Sequence, residues 1–231
     1  PAADARDPWL HVAGRDDDAK KVRALLPEGA QLFRIDCDKV GHEAYTPGSE
    51  TYNHVVQHFG RKILGPYDTA HGNPHPPIDR KALGKIVFSD PAELQALNSI
   101  VWPAIARDVD AKLDAIRASH GGKACVFVEG ALLVEISAVA TECDALWFYH
   151  ADKETAIARV QSRDNLPRED IERRLAAQHP IDVRLLEAAK LPGHEKRPVA
   201  VFDTSEDSVE AGCHKAAEAL VSLLELRAGT K

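Results

Sequence analysis

Nearly continuous apolar runs alternate along this chain with segments whose apolar positions recur every three or four residues. The runs WLHVA (9–13), QLFRID (31–36), KACVFVE (123–129), DALWFYH (144–150) and RPVAVFD (197–203) read as five strands. Those at 123–129 and 144–150 hardly alternate with polar residues, which predicts cover on both faces. Helical spacing fills the intervals. Residues 19–26 form a first helix, closed by Pro27 and Gly29. Apolar residues at 52, 55, 56 and 59 mark a second. DRKALGKIVF and the long PAELQALNSIVWPAIARDVDAKLDAIRA follow, and Pro103 inside the latter is expected to kink or split it. Residues 152–163, 168–178 and 181–190 predict three consecutive helices, and 208–226 a final amphipathic one. The Gly/Pro-rich stretch 64–78 predicts a loop.

Strands separated by helices imply a parallel sheet flanked by helices, an α/β class. The predicted organisation is a single domain over residues 1–231, with a helical insertion at 38–120 and a lid at 160–195. Ligands in such sheets bind beyond the carboxyl ends of the strands. Chemistry is therefore expected in the loop after the first strand.

Composition narrows the partners. The 231 residues carry a net charge of −7, which argues against a nucleic-acid partner. No apolar run approaches the ~18 residues of a membrane span. Cys37, Cys125, Cys143 and Cys213 are scattered without a C-x-x-C pair. That usage implies a reducing compartment and no zinc site, with Cys125 and Cys143 read as core. The chain starts at Pro1 and contains no methionine. We expect a processed chain, with a mitochondrial setting after removal of a targeting peptide and a cytoplasmic one as the alternative.

The loop after the first strand reads AGRDDDAKKV (13–22). Gly14 and Lys20 have the spacing of a phosphate-binding loop, G-x-x-x-x-G-K-[ST]. The second glycine is replaced by Ala19 and the hydroxyl by Lys21, and three aspartates fill the middle. Aspartates suit a helix N-cap and first turn, so DDD reads first as a self-capped helix and otherwise as an unusual magnesium–nucleotide site. His71 and His75 stand four apart in the 64–78 loop. Their Gly/Pro context forbids a helix, so they read as loop histidines before metal ligands.

Later stretches carry a family resemblance over about residues 9–226. RIDCDKVGHEAYTPGSETYNHVVQHFG resembles the I-D-x-D…G-H-x-A-Y…P-G…F-G region of dephospho-coenzyme A kinases. IDRKALGKIVFSDPAELQALNSIVWP is similar to their D-R-x-x-L-G-x-x-V-F…L-x-x-I-x-x-P segment, VEGALLVE to the L-L-x-E element, and RDNLPREDIERRLAAQ to the lid pattern R-D-x-L…R-L-x-x-Q. Trp102-Pro103 is similar to the kinase domain of the animal bifunctional coenzyme A synthase. The resemblance implies a three-layer P-loop kinase fold with a five-stranded parallel sheet, an inserted helical substrate domain and a lid. It also implies transfer of the ATP γ-phosphoryl group to the ribose 3′-hydroxyl of dephospho-coenzyme A, with magnesium. By position Asp38 is the base, Arg163 and Arg174 are lid cations, and Gly14 and Lys20 belong to the ATP loop.

Against that family's T-G-G-I-G-S-G-K-S-T, the present loop lacks the glycines that turn successive N–H groups inward. It also lacks the hydroxyl for magnesium, because charged Lys21 cannot ligate a metal. One carboxylate–phosphate contact at 4 Å costs about 4 kcal/mol at an effective dielectric near 20. The segment FDTSED (202–207) lacks the family's I-x-N-x-G-like turn. The expectation is a degenerate kinase relative with no cofactor, serving as a protein subunit of a larger assembly. An active kinase using Mg and ATP, or a module binding only a coenzyme A-type ligand, are the alternatives. Other readings of the same residues stay open. Asp36 and Asp38 read equally as helix caps, and Arg163, Asp164, Arg173 and Arg174 as a solvated helix face. Glu135 reads as a surface residue or the partner of a lid arginine. Trp102 and Trp147 read as packing residues.

Overall fold

In the computed structural model of the chain, residues 16–26, 28–67, 74–121 and 123–229 are described. Helix α1 (Asp16–Leu25) leads into β1 (Gln31–Asp36), and β1 runs straight into α2 (Cys37–Ala44). Three more helices follow before the next strand: α3 (Glu50–Phe59), α4 (Arg80–Val87) and α5 (Pro91–His120). Strand β2 (Ala124–Glu129) then pairs parallel to β1, with Gln31 opposite Ala124 and Asp36 opposite Glu129. After α6 (Ser137–Glu142) comes a second parallel pair, β3 (Leu146–His150) with β4 (Val199–Asp203). Their crossover consists of α7 (Lys153–Asp164), α8 (Arg168–Ala176) and α9 (Ile181–Ala188), and α10 (Val209–Gly229) closes the chain against α1. The expected strand at 9–13 lies outside the described residues.

The helix boundaries have local causes. Asp36, Ser49, Asp79, Asp90 and Asp152 each cap a helix, accepting a backbone N–H from the first turn. Helix α5 ends at Gly121, whose left-handed backbone suits glycine. Of the expected kink or split at Pro103, the split does not occur: α5 is one helix of 30 residues. Proline removes a single hydrogen bond. Burial of Val101, Ala104, Ile105 and Val109 around it holds the helix together.

Two apolar clusters result. The larger joins Phe33 and Ile35 of β1, the buried faces of α2–α5, Ile63 in a one-turn 3-10 helix, and Ile136 and Val139. Trp102 packs against it, as expected. The 64–78 loop is pinned at its ends by an antiparallel bridge between Leu64 and Ile78. Tyr52 Oη donates to Pro76 O at 2.8 Å. The smaller cluster holds only Val134, Ala140, Leu146, Phe148, Ala188 and Leu191.

The expectation of strands covered on both faces is only partly met. Every residue of β2 from Ala124 to Val128 is half-buried, and Tyr149 of β3 is exposed. Aromatic contacts link the strands here, Phe127 tilted against Trp147 and Trp147 edge-on to Phe202. Cys125 and Cys143 are likewise half-buried rather than core residues. Among the described residues no helix is long and apolar enough to cross a membrane.

Candidate functional site

The carboxyl ends of β1 and β2 carry most of the expected acidic chemistry. As helix caps Asp36 and Asp38 read equally in sequence, and the structure separates them. Asp36 is the N-cap of α2, its Oδ1 accepting the Lys39 N–H at 2.9 Å. Asp38 stands in the first helical turn, exposed and outside the cap. It lies over Gly130, the residue that follows β2. A Cβ placed on Gly130 would sit 3.0 Å from Cys37 Cβ and 3.9 Å from Asp38 Oδ1. Only glycine lets the end of β2 come this close to α2. The neighbouring Cys37 thiol is pushed up to about 12 by burial and the adjacent Asp38 carboxylate, which excludes it as a nucleophile.

Beside Asp38, on the same strand ends, Arg34 of β1 bonds Glu129 of β2 and lies 3.7 Å from Asp36. The cross-strand Glu129 raises the guanidinium's proton affinity further. Sequence reasoning passed over Arg34. Its signal was one charge inside an otherwise apolar strand. On the other flank of α2, Arg80 reaches back to His42 O at 3.2 Å from α4, where Asp79 caps Lys81 and Ala82. The insertion is thus tied to the helix that bears Asp38.

The expected lid cations are far from equivalent. Arg163 grips its own neighbour Asp164 with two hydrogen bonds, Nε to Oδ1 at 2.7 Å and Nη2 to Oδ2 at 2.9 Å. That bond holds the Asp164 carboxyl below the usual range. Arg173 is paired with Asp170. Arg174 is exposed, and its charge helps to hold the Asp164 carboxyl down. Asn165 takes the left-handed cap of α7, which an asparagine tolerates. Glu135 contradicts both readings made of it: its side chain is buried, and its ion-pair partner is His179 Nδ1 at 3.8 Å, not an arginine. It faces a residue far along the chain, a tertiary contact that no local pattern announces.

The end of β4 is closed on itself. Asp203 accepts the Ser205 hydroxyl at 2.6 Å and its N–H at 2.9 Å, and these bonds lower its carboxyl's proton affinity. Arg159 of α7 donates to Thr204 Oγ1, Thr204 O and Asp207 O. Lys215 of α10 holds Asp207. Of the ATP-loop candidates, Gly14 lies outside the described residues. Lys20 is exposed on the second turn of α1, a helix that begins at Asp16. Of the two loop histidines, His71 lies outside the described residues. His75 packs its ring edge-on to Tyr52, with centroids 5.8 Å apart.

Comparison with known proteins gives one consistent result. A family model described as dephospho-CoA kinase matches residues 21–191. A protein named dephospho-CoA kinase from Geobacter metallireducens is 42% identical over 173 residues, covering 75% of this chain and 81% of its own. Its namesake from Geobacter sulfurreducens is 39% identical over 173 residues, 75% of this chain and 82% of its own. Among solved structures, TT1252 from Thermus thermophilus superposes with a TM-score of 0.57 at 22% identity over 89% of each chain. A dephospho-CoA kinase from Campylobacter jejuni superposes with a TM-score of 0.50 at 20% identity over 93% of each. At such identities the two structures establish the fold alone, the expected P-loop kinase arrangement.

Proposed function

The chain belongs to the dephospho-CoA kinase family, and from that premise we propose that it is a catalytically degenerate member, keeping the acceptor half of the site and lacking the donor half. The observation that carries this reading is the start of α1. The described span of α1 opens with the sequence Asp16-Asp17-Asp18, in the stretch where a kinase of this fold gathers phosphate. Carboxylates in that stretch of sequence favour a self-capped helix and repel a triphosphate. The family match begins at residue 21, beyond this stretch. The donor set does not fit magnesium–ATP, since Lys21 stands where a hydroxyl ligand belongs. No step is therefore routed through it.

What remains suits a coenzyme A-type ligand. Asp38 is exposed beside Gly130 and outside the capping network, placed to accept a hydrogen bond from a ribose hydroxyl. The α2–α5 insertion is anchored to α2 through Arg80. Asp38, Arg163 and Arg174 are then vestigial catalytic positions, and Gly14 and Lys20 a vestigial ATP loop. A chain that binds without transferring phosphate acts through partners, so we place it as a subunit of a larger assembly, in a mitochondrion or alternatively the cytoplasm. Calorimetry with dephospho-CoA and with Mg-ATP tests the ligand half: binding of the former alone is expected, and binding of neither removes this reading. In native extract the chain is expected in a particle heavier than itself.

One observation favours an active kinase as the second reading: Asp38 is left free of the capping role that Asp36 fills. A carboxylate so placed is able to take the hydroxyl proton, with Arg163 and Arg174 neutralising the transferring group. Purified chain given ATP and dephospho-CoA decides between the two. No turnover above background is expected. Turnover abolished by both Lys20→Ala and Asp38→Asn would establish the second reading instead.

A further inference from the structure

Arg34 interrupts an otherwise apolar strand. Its neighbours Phe33 and Ile35 lie on the opposite face and are buried in the larger cluster. Arg34 and Asp36 share the other face of β1, and the register sets Asp36 opposite Glu129 on β2. Two carboxylates opposed across neighbouring strands repel one another. The Arg34 guanidinium answers both: Nη2 donates to Glu129 Oε1 and stands 3.7 Å from Asp36 Oδ2. The arginine side chain is 53% exposed, so filling the core is not its role. Exposed ion pairs add little to global stability, which directs attention to local placement.

Both partners lead to the first turn of α2. Asp36 divides its carboxylate: Oδ1 accepts the Lys39 N–H at 2.9 Å and so caps α2, while Oδ2 faces Arg34. Glu129 is followed by Gly130, where the backbone passes close to α2. A Cβ there would lie 3.0 Å from Cys37 Cβ and 3.9 Å from Asp38 Oδ1. The end of β2 thus meets α2 twice, by contact at Gly130 and through the guanidinium at the cap. These two links bracket Asp38.

We propose that Arg34 is a positioning residue of the acceptor half: by bridging the opposed carboxylates Asp36 and Glu129 it holds the ends of β1 and β2 together and keeps Asp38 against Gly130. The consequence for ligand binding rests on the reading that Asp38 meets dephospho-CoA. The placement of α2 does not.

Amide exchange of the full chain, resolved at Lys39 by NMR, tests the placement, and calorimetry with dephospho-CoA tests its consequence. Arg34→Leu keeps a side chain that suits a strand and removes the charge. It is expected to speed exchange at the Lys39 N–H roughly tenfold and to weaken dephospho-CoA binding by a similar factor. Adding Glu129→Gln to Arg34→Leu removes the repulsion that the arginine offset, so the double variant is expected to recover most of both losses. Lost packing of the arginine stem would not be restored by that second change. Added salt screens an attraction in the parent and a repulsion in Arg34→Leu. It is expected to speed Lys39 exchange in the parent and to slow it in the variant. Lys39 exchange in Arg34→Leu within twofold of the parent overturns the proposal. So does a double variant no better protected than the single one, or a salt response of the same sign in parent and Arg34→Leu. If the parent binds no dephospho-CoA, the functional reading falls, while the Lys39 measurements still decide this inference.

Discussion

The two parallel strand pairs are held by different physics. The β1–β2 half rests on one extended apolar cluster that reaches through α2, α3, α4 and α5, with Val55, Ile63 and Val109 fully buried. The β3–β4 half has a cluster of six residues, with Ile157 of α7 and Ile171 of α8 buried outside it, and its crossover helices carry many surface charges. Arg168 pairs with Glu154 and Glu172, and Lys153 with Glu172. Arg163 pairs with Asp164, and Arg173 with Asp170. Apolar burial scales with area and resists salt and pH, whereas exposed ion pairs contribute little and are screened. The difference teaches where apolar burial is concentrated: the half that bears Asp38 is built as one solid, and the half that bears Arg174 rests on fewer buried side chains and more exposed ion pairs.

The largest expected effect comes from the solid half. Ile63→Ala empties a fully buried site and should cost about 3 kcal/mol. Urea unfolding should show that loss globally, and an unchanged midpoint would break the comparison. Next, Gly130→Ala forces a methyl group to 3.0 Å from Cys37 Cβ. We expect a loss of about 2 kcal/mol, together with weaker dephospho-CoA binding as the first turn of α2 shifts.

The capping assignment gives a smaller, sharper contrast. Asp36→Ala should cost about 1 kcal/mol by removing the N-cap. Asp38→Ala should change stability by less than about 0.5 kcal/mol, while weakening ligand binding. Equal thermal shifts in the two variants would refute the division of labour between them.

The smallest effect is expected on acidification. Glu154, Asp164 and Glu172 are held below their ordinary range by hydrogen bonds from Arg168, Arg163 and Lys153 respectively. Asp152 is held down by the Thr155 backbone N–H and hydroxyl. A depressed carboxyl contributes stability that is complete above its unfolded value, about 4, and is lost as pH falls through its folded value. Between neutral pH and about 4 the α7–α8 segment should hold. Below that it should fray before α2–α5 does, as read by amide exchange at stepped pH.

Much of this was legible in the sequence, and the exceptions share a cause. The strands at 31–36, 124–129, 146–150 and 199–203 announce themselves because an apolar run bounded by polar turns has few other solutions. Helices α3, α7, α8 and α9 follow from spacing and caps. At Pro103 the expected split is absent, because one missing hydrogen bond was outweighed by side chains packed from elsewhere in the chain. Glu135 misled in the same way, its side chain buried in a fold that sets it against His179, far along the chain. At the site, residue types alone nominated Asp36 and Asp38 together. Only the backbone geometry at Lys39 assigned the cap to one and left the other over Gly130.

Helix α5 has a mechanical corollary. Its 30 residues make an unbroken strut of roughly 45 Å at 1.5 Å per residue. Near one end Glu93 meets His58 of α3, and at the other the His120 ring lies against Phe33 of β1. A rod fastened at both ends cannot let the inserted helices swing as a separate flap. Whatever settles among them must be felt, as a tilt, by the strand that leads to Asp38.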